Sequence, residues 1–348
     1  MELTCTETMS LTASAAFFYT GEEGSVVKVE TTNIKFNHNT GSSASDALNI
    51  RQNYANGFDI SNGEWVKGGA NIPVCYTTNK VVTVKARFTV QPDCIKSAGI
   101  WAVSTGSGGS LGDVVKTNVT FSGGISVGDT YGYVELLVSG NTPNVVKKTT
   151  TDAWQWKAEN INGASVVCDF DVSGPHTVYT ILNEPMSPWV NTFGNQQNAW
   201  VSALDFATIT CNAAGSATED DAMQAITTHL YTIPYPWGPS PPKGSVQWLT
   251  VGGTFNYSGY MTMTVANCLD SAIGLDATGS LLGMDMAARR RTDWFGFNYH
   301  CFVKRGDHAY DSCSAMSSVI IKVDYAAYIA AGAPEPTSVE SDLIYPIE

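Results

Sequence analysis

Charged residues are scarce in this chain, and basic residues are the scarcest of them. Asp, Glu, Lys and Arg together make up 15% of the 348 residues, against about 25% in an average soluble protein. Acidic residues outnumber basic ones 32 to 19, which leaves a formal net charge of −13. Because binding to phosphates and to anionic lipid depends on clustered Lys and Arg, the composition argues against a nucleic acid or a membrane surface as the partner.

Long apolar runs and a secretory signal are also lacking. The chain starts Met1-Glu2-Leu3-Thr4, with no basic residue before the mildly apolar stretch from Leu11 to Tyr19, whereas a signal peptide needs a positive start and a continuous apolar run. No segment reaches the ~18 apolar residues that a membrane-spanning helix requires. We therefore expect a soluble protein. Its composition is compatible with a secreted or surface location and with a cytoplasmic one, and the sequence indicates no oligomeric state.

Closely spaced cysteine pairs are absent as well. The eight cysteines are dispersed and form no C-x-x-C pair, which argues against a zinc ribbon or a thioredoxin-type motif. Cys301, His308 and Cys313 lie near His300 in sequence and are the one set that suggests zinc. His300 and Cys301 are adjacent, however, and adjacent residues of a strand point to opposite faces. The sequence therefore predicts no metal and no cofactor.

Short strands dominate the N-terminal part of the chain. From Val82 to Val90 apolar and polar residues alternate over nine positions, as in a strand with one buried face. Looser strand patterns occur at 100–104, 131–138, 164–172 and 177–182, with clusters of Gly, Ser and Asn between them. Repeated short strands at this spacing favour a β-sandwich. We assign residues 1–205 to this all-β domain.

The pattern changes beyond residue 205. Ser216 to Tyr231 predicts a helix, with acidic residues in its first turn and an apolar stripe at four-residue spacing. Residues 317–325 predict a strand. We assign residues 206–332 to a second domain and 333–348 to a C-terminal tail, which is rich in Pro, Glu and Ser and is expected to be loosely held. The whole chain is therefore expected to be an α+β protein.

Three residues of the second domain have the types and spacing of a cysteine-based catalytic site. Asn267 is a good N-cap, so Cys268 would lie in the first turn of a helix, where the helix dipole stabilises a thiolate. His300 follows on an aromatic-rich strand. A turn at residues 304–307 would place Asp311 beside His300 across a hairpin. An acid in that position orients the imidazole and stabilises its charged form.

The same segments resemble the transglutaminase-like superfamily of papain-like cysteine enzymes. The matching segments are Cys268-Leu269-Asp270-Ser271-Ala272, Leu281-Leu282-Gly283-Met284, His300-Cys301-Phe302-Val303 and Tyr310-Asp311, preceded by the helix that ends in Tyr-x-x-Pro-Tyr. The resemblance implies a papain-like α+β domain with a catalytic triad of Cys268, His300 and Asp311. It also implies an acyl-transfer enzyme that hydrolyses or transamidates a peptide or glutamine-type amide of a protein or peptide substrate through a thioester. A catalytically silent binding or structural protein built on the same fold is the alternative.

Aromatic residues around these segments are candidates for the rest of the site. Members of the family often use an upstream side chain in the oxyanion hole, and Trp248 or Tyr235 would serve here. The aromatic residues Trp237, Tyr257, Tyr260 and Tyr299 are candidates for substrate binding, although packing in a core explains such a cluster as well. Arg289, Arg290 and Arg291 are interpreted as a solvated loop rather than a phosphate site.

Overall fold

The computed structural model describes residues 18–19, 26–38, 46–106, 109–161, 167–190, 198–235, 253–294, 297–332, 340–343 and 345–348. The strands, in chain order, are β1 Phe18–Tyr19, β2 Val26–Lys35, β3 Ile50–Arg51, β4 Trp65–Val66, β5 Val74–Thr77, β6 Val81–Gln91, β7 Ser97–Ser104, β8 Val114–Ser122, β9 Ile125–Ser126, β10 Tyr133–Asn141, β11 Lys147–Glu159, β12 Cys168–Ile181, β13 Ala199–Trp200, β14 Ala287–Trp294, β15 Phe297–Arg305, β16 His308–Asp311, β17 Ile320–Asp324 and β18 Glu340–Asp342. The helices are α1 Val201–Asp205, α2 Glu219–Tyr231, α3 Tyr257–Tyr260, α4 Cys268–Leu281 and α5 Tyr325–Gly332, with a π-helical turn at Phe206–Thr210. The chain is thus an α+β protein, as predicted.

The chain forms two compact units. The first consists of Met1–Leu48, Asp59–Pro143 and Lys148–Thr180, and the second of Asn49–Phe58, Asn144–Lys147 and Ile181–Glu348. Each unit is built from segments that are not contiguous in the sequence. The domain bounds at residues 205 and 332 stay a prediction.

The first unit is rich in strands that join one sheet in the order β1-β2-β6-β10-β8-β7-β11-β12-β5. Strand β6 confirms the alternation seen in the sequence, since its even-numbered residues from Val82 to Val90 are buried and those between them are partly exposed. Strand β12 includes residues 168–172 and 177–181 of the strands expected at 164–172 and 177–182, and residues 164–166 lie outside the described residues. Buried Val, Phe and Trp side chains from these strands make a continuous apolar core. The residues that alternate with them, Ser and Thr among them, lie on the exposed face of the sheet.

The second unit contains a five-stranded sheet in the order β17-β16-β15-β14-β18. The expected strand at 317–325 is β17, but α5 and β18 follow it. The interpretation of Arg289–Arg291 as a solvated loop is wrong, because the three arginines lie on β14 between β15 and β18. Arg289 forms an ion pair with Asp342, and Arg291 donates to Glu340. The acidic partners come from a distant segment, which the local pattern of charge did not reveal.

Two capped helices pack against each other beside this sheet. The helix expected at 216–231 is α2, which begins at Glu219 because Thr218 is the N-cap, with Asp221 as the acidic partner of a capping box. Helix α4 has the same arrangement with Asn267 as N-cap and Asp270 as the partner. Nearly all residues of α4 are buried, so it runs through the interior of the unit and has no solvent face.

Residues 340–348 are held by the fold wherever the structure describes them, so the expectation of a loose tail is wrong for this part. Strand β18 pairs with β14. Ile347 forms a parallel bridge with Phe255, and the Tyr345 hydroxyl donates to Asp276 at 2.8 Å. The side chains of Tyr345 and Ile347 are buried, whereas the polar composition of the tail suggested exposure to solvent.

In the described residues no helix has the length and apolar character needed to cross a membrane.

Candidate active site

Cys268 is the first residue of α4, as the N-cap signal predicts. The Asn267 side chain accepts from the Asp270 N–H at 2.9 Å, which leaves the N–H groups of the first helical residues directed out of the helix end. Cys268 is 7% exposed. A sulfur in this position experiences the positive end of the helix dipole, and the neighbouring N–H groups are donors for an anion that forms beside it.

His300 and Asp311 are joined directly. The hairpin of β15 and β16 pairs Val303 with Tyr310 and Arg305 with His308, so its turn falls at Gly306-Asp307, inside the predicted segment. In this register Asp311 and His300 are diagonal neighbours on the two strands of the hairpin. The Nε2 atom of His300 and Oδ2 of Asp311 are 2.7 Å apart, and both side chains are buried. Nδ1 is therefore the ring nitrogen left to face another group.

Cys268 and His300 lie close enough for each to shift the pKa of the other. The structure thus brings together Cys268, His300 and Asp311, the first and last of which are 43 residues apart in the sequence. Burial opposes a charge on His300, but the negative charge of Asp311 and the bonds to Asp311 and Cys268 outweigh it and raise the pKa of His300 to about 9. A group with that pKa is an imidazolium at neutral pH.

The thiol of Cys268 has the opposite shift. A hydrogen bond from the Cys301 thiol is the largest cause, burial acts against it, and the bond and positive charge of His300 add to it, so the pKa of Cys268 falls to about 5. The hydrogen bond to Cys268 and, after it, burial raise the pKa of Cys301, which therefore stays a protonated donor. The sequence did not point to Cys301 in this role, because a residue next to His300 was expected on the other face of the strand.

Asp311 has two further donors. The backbone N–H of Cys313 donates to Oδ1 at 2.9 Å, and the hydroxyl of Tyr328 donates to Oδ2 at 2.7 Å. The ring of Trp294 stacks on His300 with centroids 5.6 Å apart and an interplanar angle of 25°. No sequence signal identified Tyr328 or Trp294, since both are ordinary aromatic residues of a helix and a strand end.

The remaining site residues predicted from the sequence fall into three groups. Tyr235 and Tyr299 are near Cys268: burial raises the pKa of both, to about 12 for Tyr235, and the charge of the Cys268 sulfur adds to the effect. Tyr257 and Tyr260 are fully buried and pack in an aromatic core with Phe255 and Phe206. Trp237 and Trp248 lie outside the described residues.

Metal-binding groups are a separate matter. Within the residues that the structure describes, no cluster of three or more His, Cys, Asp or Glu side chains has the arrangement of a metal site. His300 and Cys301 instead both interact with Cys268. The arrangement can supply a thiolate, an imidazolium next to it, and N–H donors at a helix end. These are the groups that nucleophilic attack on a carbonyl carbon requires.

Comparisons with known proteins find a likeness in structure only. No family model matches the chain, and no curated protein matches it in sequence. Among solved structures, the crystal structure of red sea bream transglutaminase aligns with a TM-score of 0.33 and 10% identity over 72% of this chain and 51% of that protein. The aligned part is thus about half of the transglutaminase.

Proposed function

We propose that this protein is a cysteine-dependent acyl-transfer enzyme in which Cys268 is the nucleophile, His300 the acid and base, and Asp311 the residue that orients His300. The observation that carries the proposal is the grouping of Cys268 at the start of α4 with His300, which interacts with it and bonds to the buried Asp311 at 2.7 Å. The perturbed pKa values of Cys268 and His300 support it, because a thiolate and an imidazolium coexist between about pH 5 and pH 9. A core cysteine without a role has no need of either partner.

The reaction proceeds in two steps. The Cys268 thiolate attacks the carbonyl carbon of an amide, and the oxyanion receives hydrogen bonds from N–H groups at the start of α4. His300 donates its proton to the leaving amine as the C–N bond breaks, which leaves a thioester on Cys268 and a neutral imidazole. The imidazole then takes a proton from water or from a second amine, which attacks the thioester and restores the thiolate. Water gives hydrolysis, and an amine gives transamidation.

The substrate class follows from the chemistry of the nucleophile. A thiolate paired with an imidazolium attacks carboxamides as well as peptide bonds, so we propose a peptide or a glutamine-type side-chain amide of a protein. The transglutaminase-like motifs in the sequence support the same class. Tyr235 and Tyr299, which lie near Cys268, are the described aromatic residues in position to contact such a substrate.

A small acyl donor tests the proposal without knowledge of the natural substrate. The protein is mixed with p-nitrophenyl acetate, release of p-nitrophenolate is followed, and acetylated cysteines are identified by mass spectrometry of peptides. We expect a burst of p-nitrophenolate with the acetyl group on Cys268, no burst in Cys268→Ala, and a burst slowed at least about 100-fold in His300→Ala, which is within the range that general acid–base groups contribute. Adding a primary amine then partitions the thioester between hydrolysis and aminolysis.

The exposed Cys94 is the internal reference in the same experiment. If Cys268 acquires acetyl no faster than Cys94, and if His300→Ala leaves its rate unchanged, the protein is the catalytically silent binding or structural protein and the proposal is wrong. His229→Ala is a matched control for the loss of a histidine, because His229 lies on another element, α2.

A further inference from the structure

We propose that Tyr328 is a positioning residue of this site. Its hydroxyl fixes the orientation of the Asp311 carboxylate towards His300 and weakens the attraction of that carboxylate for the imidazolium. The proposal rests on the proposed function, since it assigns a role within the same site. Tyr328 lies 17 residues beyond Asp311 on another element, α5.

The argument starts from the sharing of one oxygen atom. His300 Nε2 and the Tyr328 hydroxyl are both 2.7 Å from Oδ2 of Asp311, while Oδ1 accepts the Cys313 N–H at 2.9 Å. Three donors thus surround a carboxylate that is 1% exposed. Because a carboxylate accepts hydrogen bonds in defined directions, the hydroxyl and the N–H together fix the rotation of the carboxyl group, and this rotation sets the direction of the His300 ring.

The hydroxyl acts as a donor throughout the working range of pH. Burial and the charge of Asp311 raise the pKa of Tyr328, so the phenol keeps its proton. A carboxylate that accepts a further hydrogen bond is a weaker base and attracts the imidazolium proton less strongly. Tyr328 therefore lowers the affinity of His300 for its proton, which makes the imidazolium a better acid towards a leaving amine.

Helix α5 is anchored so that this hydroxyl stays in place. At the start of the helix the Asp324 carboxylate accepts the Ala327 N–H at 2.8 Å, and the Tyr325 hydroxyl donates to Glu340 of β18. At its end, a Cβ atom on Gly332 would lie 2.1 Å from the Trp294 ring, so a side chain there would displace this close contact. The Trp294 ring in turn stacks on His300 and contacts the Tyr328 ring in a tilted arrangement.

A packing role alone would make Tyr328 one more apolar ring. Its ring does pack with Trp294 and Phe302 in a small core, and Phe would fill that space equally well. The hydroxyl and its bond to Asp311 are what a packing role does not require. Replacement by Phe therefore separates the two roles.

The test is the pH dependence of alkylation of Cys268 by iodoacetamide, resolved by peptide mass spectrometry. Among the described residues, the charged and titratable groups that face His300 and Asp311 are Cys268, Cys313 and Tyr328. The wild-type rate should therefore change near pH 5, where Cys268 titrates, and near pH 9, where His300 titrates. In Tyr328→Phe we expect the change in rate near pH 9, the upper step, to move up by about 0.5 to 1 pH unit. This shift corresponds to the free energy of about one hydrogen bond. Tyr231→Phe, which removes a tyrosine hydroxyl that donates to the Met316 carbonyl from α2, should leave it in place.

A second replacement keeps the fold as close as possible to the original. Incorporation of 3-fluorotyrosine at position 328 retains the hydroxyl and makes it a stronger donor, so the upper step should move down. An upper step that stays at the wild-type pH in both variants would overturn the proposal and leave Tyr328 a packing residue. A wild-type protein without the step near pH 5 would instead contradict the proposed function, whatever the Tyr328 variants do.

Discussion

Replacement of Asp311 by Asn is the most direct test of the electrostatics at this site. The substitution keeps the size and planar shape of the side chain but removes its charge. In the wild-type protein the charge of Asp311 helps to raise the pKa of the buried His300 from 6.5 to about 9, a difference of about 3 kcal/mol in favour of the imidazolium. Without it, less offsets the effect of burial, and the pKa of His300 falls from about 9.

The amide also changes the hydrogen-bond pattern. Wild-type Asp311 accepts at both oxygens, whereas an amide has one accepting oxygen. If that oxygen keeps the Cys313 N–H, the amide N–H₂ faces Nε2 of His300 and forces the tautomer with its proton on Nδ1. The nitrogen that faces Cys268 would then carry a proton and could not accept one from the thiol. The loss of charge and the change of tautomer thus both make His300 a weaker proton acceptor for the Cys268 thiol.

The size of the effect on Cys268 follows from Coulomb's law. Two unit charges about 4 Å apart interact by about 4 kcal/mol at an effective dielectric constant of about 20, or about 3 pKa units. Loss of the imidazolium should therefore raise the pKa of Cys268 from about 5 to about 8. The hydrogen bond from Cys301 remains and keeps the value below that of an isolated buried thiol.

Alkylation of Cys268 by iodoacetamide between pH 4 and pH 10 measures this shift. The midpoint is the quantity to compare, because a thiolate of higher pKa is also more nucleophilic and part of the change in rate is offset. Asp307→Asn is the matched control, since Asp307 is exposed in the turn of the same hairpin. A midpoint that stays near pH 5 in Asp311→Asn would refute the linkage of the three side chains.

Two predictions concern the stability of the unit that carries the site. Gly274→Ala should lower the free energy of unfolding by about 2 kcal/mol in urea denaturation, because the new methyl group would lie 2.0 Å from the buried ring of Tyr260 and overpacking outweighs the gain in helix propensity. Gly279→Ala, whose methyl meets the flexible end of a methionine side chain, should cost less, and an equal loss in both would contradict this reasoning. Burial raises the pKa of Asp276 to about 6 against the hydrogen bond from Tyr345, so stability from this acid is greatest at low pH and is lost as the pH rises through 6. Tyr345→Phe removes a bond that favours the carboxylate and should lower stability by about 2 kcal/mol at pH 8 and about 1 kcal/mol at pH 5, and the same loss at both values would refute the assignment.

Local signals predicted a large part of this protein. The alternation from Val82 to Val90 appears as a strand because the side-chain period of a strand is a local property. The start of α4 at Cys268 follows from Asn267 and Asp270, which lie within one helical turn of each other. The turn between His300 and Asp311 is equally local, and it brings the two residues together once the strands pair.

Tertiary structure alone decided the features that depend on distant segments. The Cys301 thiol reaches Cys268 only because β15 packs against α4, and Tyr328 reaches Asp311 only because α5 folds back over the sheet. The acids that pair with the arginines of β14 likewise come from β18.

The aromatic residues show the same division. The sequence left Tyr257 and Tyr260 open between a substrate groove and a core, and the close approach of Tyr260 to Gly274 places both rings in the core. Composition and spacing report what neighbours in the chain do. Which surfaces meet is set by the burial of apolar area across the whole unit, and that quantity is a property of the folded chain.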